Sequence, residues 1–202
     1  MGLILAGGLL CVLYLLRFSW DGESWPKTVV KTASLGLPAL ALWLMGWPGV
    51  FVAGLAACVL GDFLLSRPGE GALRAGIGAF ALGHVAYIAA MAGQGVLSPA
   101  YVLPAALVAL AVSTEAWLIP HTGALRWPVR AYVIIIVAMG IVAAQTGQGW
   151  LIAGAVTFIA SDLVLSMQLF GLLSGAASRV APFAVWGLYV AAQALLALGL
   201  AP

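Results

Sequence analysis

Charged residues are scarce in this chain. Its 202 residues include only 8 Lys or Arg and 6 Asp or Glu, 7% in all, whereas soluble domains carry about 25%. This scarcity excludes a soluble catalytic domain, and a net charge of +2 excludes a nucleic-acid-binding surface. The chain is 64% hydrophobic, with a mean hydropathy of +1.15. The composition therefore predicts an all-α integral membrane protein surrounded by lipids.

Cysteine and histidine are also rare. The two cysteines, Cys11 and Cys58, lie in apolar stretches without a CxxC spacing, so we expect them to pack as small hydrophobic residues. A catalytic zinc usually takes three protein ligands with histidine prominent among them. Because His84 is the only well-placed histidine, we predict neither a metal site nor a cofactor.

Long apolar runs, separated by short Gly, Pro, Ser or charged segments, dominate what is present. Each run is close to the length of about 20 residues that crosses the hydrocarbon core of a bilayer. We predict one membrane domain over 1–202, with eight transmembrane helices near 2–17, 28–46, 48–66, 72–92, 99–119, 129–146, 149–171 and 180–200.

The positive charges are distributed asymmetrically over this eight-span topology. All eight Lys and Arg residues lie in or beside the first, third, fifth and seventh connections. The positive-inside rule then places these connections in the cytoplasm and both termini outside. The Ala, Gly, Leu and Trp content favours a bacterial inner membrane.

The two halves of the chain share sequence patterns. GLAACVLGDFLLS in the third span aligns with GAVTFIASDLVLS in the seventh at an offset of 100, and YIAAM in the fourth recurs as YVAAQ in the eighth. We predict a tandem 4+4 parallel repeat, with halves of about 1–98 and 99–202, because four spans return the chain to the same side of the membrane.

Asp62 and Asp162 occupy equivalent positions of this repeat, inside apolar spans. An Asp at a helix centre costs roughly 2.5–3.5 kcal/mol, so it requires a reason. Ser66 and Ser166 follow at i+4 on the same helix faces. Two alternatives stay open: the carboxylates meet in one interior site, or each anchors neighbouring helices.

Other polar residues are predicted to collect with these acids in the cytoplasmic half. We expect a polar cavity there, open to the cytoplasm or to the inner leaflet. Each residue also has a structural alternative: lysine snorkelling, histidine bridging two helices, or tyrosine packing. The candidates are Lys31, His84, Tyr87, Tyr132, Tyr189 and, near a helix end, Glu115.

Five segments occur in an order typical of one family: GDFLLS, GHVAY, RAYVIIIVAM, ASDLVLS and YVAAQ. With eight spans in about 200 residues, the chain resembles the YhhN family over nearly its whole length. The resemblance implies hydrolysis of the vinyl ether bond of a lysoplasmalogen, a lysophospholipid. The products are a fatty aldehyde and glycerophospho-ethanolamine or glycerophospho-choline.

This chemistry, implied by the resemblance, assigns roles to the candidate residues. Asp62 and Asp162 become the catalytic acid/base pair. The substrate-binding group is then Lys31 at the phosphate, His84, Tyr87 and Tyr189 at the water or head group, and Ser66, Tyr132 and Ser166 beside them. Two rivals remain: a proton-coupled small-molecule or lipid transporter using the same acids, and a non-catalytic membrane scaffold.

Overall fold

A computed structural model describes residues 1–20, 22–94 and 100–202, and all regular structure in them is helical. The α-helices of these residues are α1 (Gly2–Leu13), α2 (Trp25–Leu44), α3 (Gly49–Leu65), α4 (Glu70–Ala92), α5 (Val102–Trp117), α6 (Arg126–Thr146), α7 (Gly149–Leu169) and α8 (Gly175–Gly199). A π-helical turn, Tyr14–Phe18, extends α1, and two 3₁₀ turns, Ile119–His121 and Gly123–Leu125, lead into α6.

The eight predicted apolar runs are confirmed as helices, with ends that differ by a few residues. Proline and glycine set several of these ends: Pro48 precedes α3, and Gly147 ends α6 with a left-handed φ of 66°. Asp21 in the first connection lies outside the described residues. So do residues 95–99, which hold most of the fourth connection and the predicted start of the fifth span.

Four helical segments of the described chain are long and apolar enough to cross a membrane: Glu70–Ala92, Gly123–Thr146, Gly149–Leu169 and Gly175–Gly199. Three further apolar helices are shorter, namely Gly2–Phe18, Gly49–Leu65 and Val102–Trp117. The chain is therefore an integral membrane protein, and the count of eight spans stays a prediction.

Many large apolar side chains are exposed while several polar side chains are buried, which suits a lipid environment. On α1, an exposed stripe follows the helical spacing, with Leu5 63% and Leu9 73% exposed. By contrast, Asp62 is 1% exposed and His84 is fully buried. Apolar residues on the outside cost nothing in lipid, whereas buried polar groups need partners.

The chain divides into two compact units, Met1–Tyr87 with Pro202, and Ile88–Ala201. In the first unit, α2 packs against α1 and α3. A Cβ atom on Gly7 would lie 2.4 Å from Cδ of Pro38, so glycine permits the close approach of α1 to α2. Likewise, a Cβ on Gly83 of α4 would meet Sγ of Cys58 of α3 at 2.7 Å.

In the second unit, α6 packs against α5 and α7, and α7 packs along α8. Small residues again set the helix spacing. A Cβ on Gly154 would lie 2.9 Å from Cγ of Leu196, and one on Gly199 would lie 2.4 Å from Cδ2 of Leu151. Both contacts bring the beginning of α7 close to the end of α8.

Candidate functional site

In the first unit, Asp62 of α3 forms an ion pair with Lys31 of α2. The distance from Lys31 Nζ to Asp62 Oδ1 is 3.1 Å, and the side chains are 17% and 1% exposed. Removing two charges from water costs several kcal/mol per ion, so such a pair persists only in good geometry. This pair fixes a carboxylate at a defined place between two helices.

Local sequence explains where the two partners lie. The Ser24 hydroxyl caps α2 by accepting a hydrogen bond from the Lys27 backbone N–H at 3.3 Å, and Pro26 occupies the first turn. Lys31 therefore lies near the second turn of α2. Asp62 lies in the last turn of α3, where the Ser66 hydroxyl donates to the Asp62 backbone carbonyl at 2.7 Å.

A second polar layer lies beside this pair, where α2 begins and α3 ends. Arg67 Nη2 donates to Thr28 Oγ1 at 2.7 Å and to the Ser24 carbonyl at 3.3 Å, while Nε donates to the Ser66 carbonyl at 2.9 Å. The guanidinium carbon lies 4.2 Å from the ring centroid of Trp25. Arg67 thus joins the two helix ends and stacks on an aromatic ring.

His84 and Tyr87 lie on one face of α4, and both are fully buried. His84 Nδ1 lies 2.6 Å from the Phe80 carbonyl, so this nitrogen carries the proton that it donates. The ring of Tyr87 meets the His84 ring edge-on, with centroids 6.3 Å apart, and packs on Phe51 at 5.6 Å. A Cβ on Gly54 would lie 2.6 Å from Tyr87 Cε1, so Gly54 makes room for this ring.

In the second unit, Asp162 of α7 accepts a hydrogen bond from the Tyr132 hydroxyl of α6. Asp162 and Tyr132 are both half-buried, which makes Asp162 more accessible than Asp62. A side chain of the preceding helix therefore orients the carboxylate, as in the first unit.

The two acid centres have matching positions within their helices. Lys31 and Tyr132 are each the seventh residue of their helix, α2 and α6. Asp62 and Asp162 are each the fourteenth residue of theirs, α3 and α7. The position is thus kept while the partner changes from an ammonium to a phenol. This correspondence is the one expected of a tandem repeat, which stays a prediction.

The remaining predicted site residues of the second unit pack against apolar neighbours or their own helices. Tyr189 is 5% exposed and meets Phe158 edge-on at 5.4 Å and Trp186 at 5.7 Å. The Ser166 hydroxyl donates to the Leu163 carbonyl at 2.9 Å, within α7. Tyr189 therefore packs among aromatic residues, and the Ser166 hydroxyl donates its hydrogen bond to a backbone carbonyl of its own helix.

Glu115 forms an exposed, two-pronged ion pair with Arg130. Arg130 Nε donates to one Glu115 oxygen at 2.8 Å and Nη2 donates to the other at 2.6 Å, which joins α5 to α6. Across the described residues, no group of three or more His, Cys, Asp and Glu side chains is arranged to hold a metal ion.

The structure thus joins Lys31 to Asp62, Tyr132 to Asp162, and His84 to Tyr87, each pair within one unit. The meeting of the two carboxylates in one site stays a prediction.

Sequence reasoning missed Arg67 and Thr28, because Arg67 served only as a topology signal. One feature of the sequence distinguishes Arg67: at the offset of 100 of the predicted repeat, Ser66 corresponds to Ser166 whereas Arg67 corresponds to Met167.

Comparison with known proteins identifies related chains. A protein of Mycobacterium bovis named lysoplasmalogenase is 35% identical over 159 residues, which cover 73% of this chain and 59% of that protein. A protein of Mycobacterium tuberculosis with the same name matches equally. An uncharacterized membrane protein YhhN of Escherichia coli is 32% identical over 123 residues, covering 57% of each chain.

This chain therefore spans about three fifths of the length of the curated relatives it matches: 59% for the mycobacterial proteins and 57% for the Escherichia coli protein. No solved structure matches it significantly. The YhhN family matches residues 26–200, which include both acid centres, α2 except its first residue, and all of α3 to α8. The chain belongs to the YhhN family.

Proposed function

We propose that this protein is a membrane hydrolase that cleaves the vinyl ether bond of lysoplasmalogens, releasing a fatty aldehyde and glycerophospho-ethanolamine or glycerophospho-choline. The observation that carries the proposal is the buried Asp62, held 3.1 Å from Lys31 inside an apolar unit. The name of the mycobacterial relatives, lysoplasmalogenase, supports the choice of reaction.

The structural positions of the acids support a catalytic role for them. One acid is enough to hold two helices together. This chain has two acids at matching helix positions, and they have different partners. Intramembrane acids are costly and are functional by default. Two carboxyl groups in different surroundings release their protons at different pH. One can then act as the general acid while the other acts as the base.

The reaction requires an acid and a group that assists water. A carboxylic acid donates its proton to the β-carbon of the vinyl ether, which leaves an oxocarbenium ion at the α-carbon. Water adds to this carbon and loses a proton to a carboxylate, which gives a hemiacetal. The hemiacetal collapses by cleavage of its bond to the glycerol oxygen: the carboxyl group that took the proton of water gives it to this oxygen, and the hemiacetal hydroxyl gives its proton to the first carboxylate as the aldehyde C=O forms. One water molecule is consumed, and the acid is regenerated.

We assign the tasks by the partners of each acid. Asp62, as the anion of an ion pair with Lys31, stabilises the oxocarbenium ion and accepts the proton of water. Asp162, oriented by the Tyr132 hydroxyl and more accessible, is the proton donor. Lys31 pairs with the Asp62 carboxylate. The buried residues His84 and Tyr87, whose rings meet edge-on, position the water or the head group.

We also propose where in the cell and at what depth in the membrane the protein acts. The protein acts within the bilayer, in a bacterial inner membrane, with its acids in the cytoplasmic half. The vinyl ether lies next to the glycerol of the lipid, so its cleavage belongs near the head-group level. Asp62 is consistent with this depth because it lies in the last turn of α3, five residues before Arg67.

The test is product analysis with detergent-purified protein and 1-O-alkenyl-glycerophosphoethanolamine, with the choline lipid in parallel. We expect equal amounts of fatty aldehyde and glycerophospho-ethanolamine. The matched control is the 1-O-alkyl lipid, which lacks only the double bond, so that its β-carbon is saturated and cannot be protonated. Release of aldehyde from neither lipid would contradict the proposal, as would equal cleavage of both.

A transporter using the same acids predicts a different outcome. It would move lipid or a small molecule across vesicle membranes and leave the lipid intact, so that flux without aldehyde would favour transport over hydrolysis.

A further inference from the structure

We propose that the guanidinium group of Arg67 binds the phosphate of the lysophospholipid and thereby sets the specificity of the protein for phosphate-bearing lipids. This inference rests on the proposed function, in which the vinyl ether reacts beside Asp62.

The Arg67 side chain is held in one orientation. Its Nε donates to the Ser66 carbonyl at 2.9 Å, and its Nη2 donates to Thr28 Oγ1 at 2.7 Å and to the Ser24 carbonyl at 3.3 Å. The Trp25 ring, 4.2 Å from the guanidinium carbon, covers one face. A guanidinium that is ordered in advance loses less entropy when it binds a ligand.

These contacts leave a set of donors for a ligand. A guanidinium has five N–H donors, and the contacts above use Nε and Nη2. Within residues 1–20, 22–94 and 100–202, Nη1 donates no hydrogen bond. Phosphate oxygens match arginine N–H donors well, and such charge-assisted hydrogen bonds are among the strong ones.

The position of Arg67 matches the dimensions of the lipid. Arg67 follows Asp62 by five residues and lies two residues past the end of α3, which corresponds to about 7.5 Å at the helical rise of 1.5 Å per residue. In a lysoplasmalogen, six covalent bonds separate the α-carbon of the vinyl ether from phosphorus, about 7 Å in an extended conformation. A lipid with its vinyl ether beside Asp62 therefore presents its phosphate at the level of Arg67.

The beginning of α2 adds to this attraction for an anion. Arg67 is bonded to the carbonyl of Ser24, the residue that caps α2. The first turn of a helix carries a partial positive charge from its backbone N–H groups. Lys27 in the same turn adds a full positive charge to this end of α2.

Phosphate chemistry is shared by the lysolipid substrate, by diacyl phospholipids of the membrane and by inorganic phosphate. The apolar surroundings and the depth of Asp62 favour a single-chain lipid, because its phosphate and its ether are presented together. The experiment therefore compares all three sources.

The test measures binding to the full chain in detergent, using lipids that cannot be hydrolysed. The probes are 1-O-hexadecyl-glycerophosphoethanolamine, which has the phosphate, and 1-O-hexadecylglycerol, which lacks it. We expect Arg67→Gln to weaken binding of the first by about 10- to 100-fold, the range for a lost hydrogen-bonded charge pair, and to leave binding of the second unchanged. Arg67→Lys should give an intermediate loss, because the charge remains without the fork of donors.

Arg74→Gln is the matched control, since Arg74 lies in the same region, is 54% exposed and pairs only with Glu70 in the described chain. It should bind both lipids as the wild type does. Equal loss of both lipids in Arg67→Gln would overturn the proposal, because Arg67 would then only support the fold. Equally effective competition by inorganic phosphate or by diacyl phosphatidylethanolamine would overturn it too.

Binding is measured without turnover, so this result is separate from the proposed hydrolysis. Loss of phosphate-lipid binding in a protein that releases no aldehyde would leave Arg67 as a lysolipid phosphate ligand and refute only the reaction.

Discussion

The Lys31–Asp62 pair offers a way to separate the contribution of a buried charge to stability from its contribution to catalysis. At 3.1 Å the attraction is about 5 kcal/mol for an effective dielectric constant near 20, and the desolvation of both ions opposes it. Lys31→Met removes the ammonium that pairs with the buried Asp62 carboxylate, and Asp62→Leu removes the carboxylate that pairs with Lys31. We expect each single change to lower the free energy of unfolding by about 3–5 kcal/mol.

The double variant, Lys31→Met with Asp62→Leu, removes both charges at once. Apolar replacement of a buried ion pair is often neutral or stabilising by about 1–4 kcal/mol. We therefore expect the double variant to be about as stable as the wild type, although two independent changes would cost about 6–10 kcal/mol. The same variant should release no aldehyde, because the carboxylate is gone.

The assay is unfolding in detergent for the wild type and the three variants, with aldehyde release measured on the same preparations. A double variant whose loss of stability equals the sum of the single losses would refute the coupling of Lys31 and Asp62. Full activity of the stable double variant would refute the catalytic role of Asp62.

Three further predictions follow from other contacts. Tyr132→Phe removes the hydroxyl that orients Asp162 and should lower aldehyde release by about 10-fold or more, at a cost of about 0.5–1.5 kcal/mol in stability for a hydrogen bond to an uncharged acid. Tyr101→Phe, at a tyrosine that is 76% exposed, is the control, and equal activity of both variants would contradict the assignment. Gly54→Ala places a Cβ 2.6 Å from the Tyr87 ring and should destabilise the protein by about 1–3 kcal/mol in a thermal unfolding assay. Gly8→Ala, at a position open to its surroundings, should not destabilise it, and a similar loss in both would argue against the α3–α4 contact. Glu115→Gln breaks a surface ion pair, so the unfolding midpoint should not move, and a clear drop would show that this pair is structural.

The sequence predicted the helices well because apolar runs and their Gly, Pro and charged breaks are local signals. Pro48 before α3 and Gly147 after α6 mark helix ends that the chain itself encodes. Asp62 and Asp162 were also conspicuous as candidates, since an acid is rare and costly in an apolar span, and their catalytic roles stay a prediction.

Pairing between helices was not visible in the sequence. The role of Lys31 at a lipid phosphate stays a prediction. Its ion pair with Asp62 was not predicted, because the rotation of α2 against α3 sets which side chains meet. Arg67 was taken as a marker of topology, and its bonds to Thr28 and Ser66 depend on where two helix ends come together. No periodicity within a single helix reports such contacts between helices.

The most direct test of the proposed reaction is the rate of aldehyde release by Asp162→Asn, measured beside the wild type on a lysoplasmalogen in detergent. Glu115→Gln, the loss of an exposed acid in the same unit, is the matched control. If Asp162 donates the proton, its loss should slow release by about 100-fold or more, within the range for general acid–base catalysis, while the control retains the wild-type rate. A folded Asp162→Asn variant with the wild-type rate would contradict the account.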